Sequence, residues 1–367
     1  MLFSPEAHET RVDEPWDADR ARSAITSIAA DAESAFEDGW PMHPHDVSES
    51  DDPAARFRTV YLGGAGVVAA LHSLARRSFV ELRRDYVPYL ERSLKAEPDF
   101  PDDDAERSVW LGETGIRLVL KRLAPSQANL ERLSALIAAN ERDVRRELML
   151  GSPGTILAGR ELGLDVSAGV EWLHGQRDTD GLWTQELFGR SGRHLGPAHG
   201  FAGCVLALGD VAAVSETLER FAVEEEGLVN WSPVAEMGLV EANRDGRIRT
   251  QWCHGAPGIV ATLAHLMDEE LAVAGGELTW RAGPLRKGAN LCHGTAGNGY
   301  AFLALLERTG DERWLSRARA FAAHAAAQVE QSRSEYGRGR YTLWTGDLGT
   351  ALYLADCIDG RGVLPLP

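Results

Sequence analysis

Two cysteine–histidine pairs carry the side chains of this sequence that are best suited to hold a metal ion. Cys253 and His254 lie in the segment WCHGAPG, and Cys292 and His293 lie in the segment LCHGTAG. Thiolate sulfur and imidazole nitrogen are ligands that Zn²⁺ prefers, and three protein ligands leave a fourth position open for water or substrate, as in catalytic zinc sites. Both cysteines and one histidine would form such a set, but the spacing alone does not decide between the two histidines.

The alternative for these cysteines is a structural role, since unpaired cysteine is often a core residue. The chain has four cysteines, Cys204, Cys253, Cys292 and Cys357, and disulfides are rare in a cytosolic protein of this size. A polar histidine directly after a cysteine, at the entrance of a helix, does not suit a core position. The two Cys-His-Gly segments therefore predict a Zn²⁺ site.

A repeat must position these segments. A Gly-x-x-Gly element occurs seven times, and each copy leads into an apolar run typical of a buried helix. Successive copies begin 39 to 55 residues apart, which accommodates two helices and two loops. The copies are Gly63–Gly66, Gly112–Gly115, Gly151–Gly154, Gly200–Gly203, Gly255–Gly258, Gly294–Gly297 and Gly346–Gly349. This regularity predicts a repeat architecture.

The segments between the apolar runs are predicted to form amphipathic outer helices. Residues 77–95 and 127–146 mix charged with apolar side chains in this way. Strand-like alternation is scarce, and the segments 227–233 and 340–344 are predicted to be connecting hairpins or loops. The fold is therefore predicted to be all-α, with inner and outer helices that form either an open solenoid or a closed double ring.

Closure into a ring is the favoured arrangement. The acidic first and last segments lack the character of solenoid caps, and in a ring the glycine motifs would gather at one end, which we call the mouth. The fifth and sixth motifs would then be neighbours, so the two Cys-His pairs would meet there. We expect an N-terminal extension over residues 1–18 and a single domain over residues 19–367.

Charge and composition disfavour several classes of partner. The net charge is −17, which opposes contact with a nucleic-acid backbone or an anionic membrane. The first residues lack the basic and apolar regions of a signal peptide, and no apolar stretch reaches the roughly 18 residues needed for a membrane span. We therefore expect a cytoplasmic protein. As a separate expectation, the protein is a monomer.

Four segments resemble motifs of the lanthionine synthetase C family, including its eukaryotic-type members, and the resemblance runs through all seven glycine motifs. RTQWCHGAPG (249–258) resembles the family's Arg-x-x-Trp-Cys-x-Gly-x-x-Gly element, and KGANLCHGTAGN (287–298) resembles its Cys-His-Gly-x-x-Gly-Asn element. HLGPAHGFAG (194–203) resembles its His-Gly-x-x-Gly element, and Glu147 matches an acidic residue before the third motif. The resemblance implies an α/α-toroid of seven inner and seven outer helices.

The resemblance also implies roles for individual residues. The zinc ligands of the family correspond to Cys253, Cys292 and His293, which selects between the two histidines. The family's acid–base histidine corresponds to His199, and its active-site arginine corresponds to Arg249.

Four further residues have less defined roles. Glu147 is expected to orient the catalytic histidine or arginine, the alternative being an ion pair with a neighbouring arginine. Lys287 matches a lysine of the eukaryotic-type members and is expected to bind substrate, the alternative being a solvated charge in a loop. Trp252 is expected either to line the substrate site or to belong to the core. Asp347 stands in the last motif, where a small or apolar residue is expected.

The implied reaction is the addition of a thiol to dehydroalanine or dehydrobutyrine, with Zn²⁺ holding the thiol. The leading expectation is a cyclase that forms thioether rings within a dehydrated precursor peptide, in lanthipeptide biosynthesis. One alternative is the addition of glutathione or another small thiol to dehydroamino acids in proteins, and another is a non-catalytic zinc-binding or thiol-binding scaffold. Glycosidases and terpene cyclases with similar double rings need paired acidic residues at the mouth, and no such pair is evident in the seven motifs.

Overall fold

The computed structural model describes residues 2–46, 55–101, 105–235 and 249–365, and these ranges form fourteen α-helices and two short β-hairpins. The helices are α1 (Ala18–Ser34), α2 (Gly64–Arg76), α3 (Val87–Ser93), α4 (Glu113–Leu123), α5 (Gln127–Asn140), α6 (Ser152–Glu161), α7 (Ser167–Gly175), α8 (Phe201–Leu208), α9 (Val214–Phe221), α10 (Ala256–Leu263), α11 (Glu269–Ala282), α12 (Thr295–Thr309), α13 (Glu312–Tyr336) and α14 (Asp347–Asp359). The antiparallel hairpins pair β1 (Gln185–Leu187) with β2 (Arg190–Gly192) and β3 (Ala222–Glu225) with β4 (Leu228–Trp231). The predicted all-α class is confirmed.

The seven even-numbered helices form an inner ring, and each begins at one of the glycine motifs. In every case the first glycine of the motif is the N-cap residue of the helix. Helices α6, α8, α10, α12 and α14 pack in succession, α5 contacts both α4 and α6, and α2 contacts both α4 and α14. The contact between the first and last inner helices closes the ring.

The seven odd-numbered helices form the outer layer. Helix α3 packs on α4, α7 on α6 and α8, α11 on α10 and α12, and α13 on α12 and α14. Helix α1 packs on α14 and α13, so the first helix of the chain covers the region where the ring closes. The predicted toroid of seven inner and seven outer helices is confirmed, and the open solenoid is excluded.

The second glycine of each motif permits a close backbone approach. An added Cβ at Gly258 would overlap the carbonyl oxygen of Trp252, and one at Gly297 would overlap that of Leu291. In all seven motifs, a Cβ added at the second glycine would overlap the carbonyl oxygen of the residue six positions earlier. The segment before each inner helix is therefore folded tightly over the helix start, and this places the residues that precede the motif at the mouth.

The first predicted outer helix, 77–95, is much shorter in the structure, where only α3 is helical. Ser78 adopts a positive φ of 59°, which interrupts a right-handed helix. The buried carboxylate of Glu33 then accepts hydrogen bonds from the N–H of Arg83 (3.0 Å) and the hydroxyl of Tyr86 (3.1 Å). These tertiary contacts hold the segment in a non-helical conformation.

The other predicted elements differ less. The outer helix predicted over 127–146 ends at Asn140, and Arg146 beyond it has a positive φ of 47°. The segment 227–233 contains strand β4 of a hairpin, and 340–344 is a loop, both as predicted. None of the described helices combines the length and apolar character required to cross a membrane.

The predicted N-terminal extension ends where α1 begins at Ala18. The segment before α1 packs against the ring rather than standing apart from it. The ring nitrogen Nδ1 of His8 lies 2.8 Å from the carbonyl oxygen of Gly283, and the carboxylate of Glu9 lies 2.7 Å from Nε2 of His324. These contacts join the extension to the end of α11 and to α13. The division at residue 18 stays a prediction.

Candidate metal centre and active site

The residues just before the glycine motifs line the mouth of the ring. The position two residues before the first glycine is occupied, in repeat order, by Tyr61, Trp110, Met149, Ala198, Cys253, Cys292 and Trp344. Cys292 donates its N–H to the carbonyl of Trp344 (3.0 Å), and its own carbonyl accepts the N–H of Cys253 (3.2 Å). Tyr61 and Trp110 are joined in the same way (2.9 Å). Backbone hydrogen bonds between neighbouring repeats thus set the spacing of these side chains.

Cys253, Cys292 and His293 form a compact metal group. Their ligand atoms all lie within 4.8 Å of one another, and within the described ranges no other set of three or more histidine, cysteine or acidic side chains comes together in this way. Both cysteines are buried, and His293 is half-buried. Two thiols and one imidazole from adjacent repeats match the donor set of a zinc site that keeps one coordination position open.

The two sulfur atoms accept hydrogen bonds from side chains that the sequence pattern did not indicate. The hydroxyl of Tyr61 donates to Sγ of Cys292 (3.0 Å), and the amide Nε2 of Gln251 donates to Sγ of Cys253 (2.9 Å). The available signal was the repeat register, since Tyr61 stands two residues before its motif, as both cysteines do. The residue type did not indicate the role of Tyr61, because an aromatic residue at that position is equally typical of packing.

The two thiols of the metal group are electrostatically coupled. The hydrogen bond from Cys292 lowers the pKa of the Cys253 thiol well below its ordinary value, against the effect of burial, and the charges of His254 and His293 act in the same direction. The same bond, together with burial, raises the pKa of Cys292. One sulfur of the pair is therefore favoured as a thiolate, the form that binds a cation.

Glu147 and His199 form a second group at the mouth. Oε2 of the fully buried Glu147 lies 2.8 Å from Nδ1 of His199. The carboxylate also accepts hydrogen bonds from the backbone N–H groups of residues 149–151 at 2.5–3.0 Å. Burial alone would lower the pKa of His199, but the hydrogen bond and charge of Glu147, with a contribution from Cys253, raise it. Glu147 contacts the histidine rather than a neighbouring arginine, which was the alternative.

His254 lies between the two groups without joining the metal group. Its ring centroid is 6.4 Å from that of His199, and it directly follows Cys253 in the chain. Burial lowers the pKa of His254 to about 4, against the opposing charge of Cys253 and with the help of His199 and Arg249. Burial therefore disfavours the charged form of His254, whereas His293 places its ring nitrogen near both sulfurs.

Arg249 and Lys287 place two cations near these groups. Both side chains are exposed, and no hydrogen bond or ion pair joins either of them to the residues described. The charge of Arg249 acts on His254, and that of Lys287 acts on Cys292. Lys287 also lines a cavity of about 310 Å³. Among the described residues, therefore, nothing engages either cation that would keep it from a bound molecule.

Trp252 and Asp347 are both buried. Trp252 is 1% exposed, and its ring centroid lies 4.6 Å from that of Trp344, which is 4.7 Å from that of Trp110. This packing matches the core alternative for Trp252. Asp347, the first residue of α14, accepts a hydrogen bond from the N–H of Arg340 (2.9 Å), and burial raises its pKa to about 7. A carboxyl group is accommodated there because the backbone supplies a donor.

Known proteins resemble this chain in sequence and in fold. A model of the family described as lanthionine synthetase C-like protein matches residues 57–363. The chain is 32% identical over 196 residues to "Glutathione S-transferase LANCL1" of Danio rerio, covering 48% of this chain and 44% of that protein. It is 34% identical over 119 residues to "LanC-like protein GCL1" of Arabidopsis thaliana, covering 29% and 27%. The matched region spans less than half the length of these relatives.

The toroid itself has a counterpart among solved structures. The structure of nisin cyclase superposes with a TM-score of 0.52 and 17% sequence identity, covering 83% of this chain and 94% of nisin cyclase. This similarity supports the fold and its double ring.

Proposed function

The chain belongs to the lanthionine synthetase C-like family, and we propose on that premise that it is a zinc-dependent enzyme that forms thioethers by adding a thiol to a dehydroamino acid residue. One observation carries the proposal. The metal group, with two cysteines and one histidine, lies at the same mouth as buried Glu147 and its partner His199. A purely structural zinc site would need neither an open coordination position nor an acid–base pair beside it.

Cys253, Cys292 and His293 would hold the zinc ion. When bound, Zn²⁺ would supply the positive charge that keeps an incoming thiol deprotonated. The three residues leave one coordination position for that thiol, and burial of both cysteines limits competition from bulk water.

The residues around the metal group would complete the addition. The thiolate sulfur forms a bond to Cβ of the dehydroamino acid, and the electrons of the double bond move onto Cα and the adjacent carbonyl as an enolate. Arg249 supplies positive charge for the enolate oxygen. His199, whose pKa is raised by Glu147, donates a proton to Cα, and the proton released by the thiol replaces it. The product is a thioether, and no other reactant is consumed.

Two substrates fit this reaction. In the leading form the thiol and the dehydroamino acid belong to one dehydrated precursor peptide, and the product is a lanthionine or methyllanthionine ring. In the second form glutathione or another small thiol adds to a dehydroamino acid in a protein. The second form is a candidate because one relative is named glutathione S-transferase and because the exposed ammonium of Lys287 suits the carboxylates of such a thiol.

Product analysis distinguishes the two forms. The zinc-loaded protein is incubated with a peptide that contains both dehydroalanine and cysteine, with and without glutathione. Ring closure leaves the peptide mass unchanged and makes the peptide resistant to thiol alkylation, whereas the second reaction adds the mass of one glutathione. If neither product formed with either thiol source, the proposal would fail in favour of a non-catalytic scaffold.

A histidine substitution tests the acid–base assignment. We expect His199→Asn to lower the rate of thioether formation by roughly 10²–10⁴-fold while zinc binding is retained. His265→Asn is the matched control, because His265 is exposed beyond the end of α10, at the other end of that helix from the mouth.

A further inference from the structure

Two neutral side chains donate hydrogen bonds to the metal group, one to each sulfur. The hydroxyl of Tyr61 lies 3.0 Å from Sγ of Cys292, and the amide nitrogen of Gln251 lies 2.9 Å from Sγ of Cys253. Both distances are short for hydrogen bonds to sulfur. The two donors come from different repeats and reach different sulfurs, so each bond can be removed independently of the other.

The position of Tyr61 is fixed by its surroundings. Its N–H donates to the carbonyl of Trp110 (2.9 Å), and its ring lies nearly parallel to that of Trp344, at 22° with the centroids 6.4 Å apart. Tyr61 occupies, in the first repeat, the position that Cys292 occupies in the sixth. The hydroxyl is therefore directed to the sulfur by a rigid frame.

Gln251 departs from the pattern of its repeat position. Four residues before the first glycine, Glu147 and Asn290 use their side chains to accept backbone N–H groups of their own turns. In the fifth repeat the main-chain carbonyl of Gln251 accepts the N–H of His254 instead (3.0 Å). This leaves the side-chain amide of Gln251 available for Sγ of Cys253.

We propose that Tyr61 and Gln251 are positioning residues that orient both thiolate ligands and withdraw negative charge from them, an inference that rests on the zinc site proposed above. Two cysteine thiolates balance the charge of Zn²⁺, so a substrate thiolate at the open position brings an excess negative charge into a buried site. An O–H and an N–H donated to the ligand sulfurs stabilise that excess charge. Partners of metal ligands typically contribute 10–100-fold to metal affinity.

Metal affinity and a cobalt spectrum test this inference without relying on activity. Zinc affinity is measured by competition with a chelating dye, and the sulfur-to-metal charge-transfer band is recorded after Co²⁺ substitution. We expect Tyr61→Phe and Gln251→Met each to weaken zinc binding by about tenfold or more. The band should move to longer wavelength, because a thiolate without its hydrogen bond gives up an electron more easily.

Matched variants separate this effect from general damage. Tyr89→Phe removes a buried hydroxyl in α3, outside the metal group, and Gln127→Met changes an exposed residue of α5, so neither should alter affinity or spectrum. Should Tyr61→Phe fail to fold, Gln251→Met tests the second bond alone. Wild-type affinity and spectrum in a folded Tyr61→Phe or Gln251→Met variant would overturn the inference, whereas absence of zinc binding by the wild-type protein would instead refute the proposed function.

Discussion

The second and seventh repeats place Trp110 and Trp344 at the position where the fifth and sixth place Cys253 and Cys292. Their places in the repeat are equivalent, since each residue stands two positions before the glycine that caps an inner helix. The two indoles pack against each other at 4.7 Å between centroids, whereas the two thiols join His293 in the metal group. One repeat position thus serves packing on part of the mouth, where it holds tryptophan, and metal binding on another part, where it holds cysteine.

In the third repeat, a residue that stabilises the turn also contacts a candidate catalytic residue. Polar residues four positions before the first glycine stabilise the turn by accepting backbone N–H groups, as Ser108 does for the N–H groups of residues 110 and 111. Glu147 does the same for residues 149–151 and also contacts His199. The turn residue of one repeat therefore orients a histidine of the next.

The largest expected effect comes from removing a cysteine on the metal-binding side. We expect Cys292→Ala to weaken zinc affinity by well over the roughly 100-fold that loss of an outer partner costs, and to abolish thioether formation. Zinc competition and product mass spectrometry measure both. Cys357→Ala is the control, because Cys357 is equally buried but lies within α14, and this variant should bind zinc like the wild type. Stoichiometric, tight zinc binding by Cys292→Ala would refute the assignment.

Substitution of a tryptophan at the equivalent repeat position should reduce stability rather than abolish zinc binding directly. Trp110→Ala removes a fully buried indole whose Nε1 donates to the carbonyl of Leu148 (2.9 Å). We expect it to reduce the free energy of unfolding by about 3–5 kcal/mol. Denaturant unfolding in the presence of a metal chelator measures this, and Cys253→Ala under the same conditions should cost much less. Equal losses for the two variants would show that the cysteines are also packing residues.

Much of this arrangement could be predicted because it is periodic. The starts of the inner helices followed from the glycine motifs, and ring closure placed the two Cys-His pairs together. The choice of His293 over His254 required the family resemblance, since both histidines occupy the same position in their repeats. Geometry then showed that only His293 places its ring nitrogen within reach of both sulfurs.

The missed features depend on contacts between distant parts of the chain. Tyr61 and Cys292 are 231 residues apart in sequence, and no local pattern indicates their hydrogen bond. The outer helix predicted over 77–95 was too long because buried Glu33, from α1, binds the intervening loop. Amphipathic spacing describes which residues face the core, but such tertiary contacts decide where the helix begins.

Asp347 tests how well the seventh repeat, in which Trp344 packs against Trp110, tolerates a buried charge. Its folded-state pKa of about 7 lies above the ordinary value of 3.8 because of burial, so the folded state binds its proton more tightly than the unfolded state. Stability from this group is therefore present at low pH and is lost as the pH rises through about 7. Asp347→Asn should remove that dependence and stabilise the protein at pH 8 by about 4 kcal/mol.

Denaturant midpoints at pH 5 and pH 8 measure the effect of Asp347→Asn. Asp210→Asn is the control, since Asp210 lies on the surface and its substitution should change neither midpoint appreciably. If Asp347→Asn were less stable than the wild type at pH 8, the carboxylate would be stabilised by its surroundings, and the seventh repeat would not be purely a packing element.

The smallest effect should come from substitution of Glu147, which accepts hydrogen bonds from its own turn and also contacts His199. Glu147→Gln keeps one acceptor oxygen for the backbone N–H groups but removes the charge that raises the pKa of His199. If His199 acts as the acid, the rate falls as the pH rises through its pKa, so this falling limb should move to lower pH and the rate at pH 8 should drop about tenfold. The pH profile of kcat measures the shift, with Glu161→Gln on an exposed part of α6 as the control. An unmoved limb would mean that His199 does not donate the proton, because its pKa depends directly on the neighbouring carboxylate.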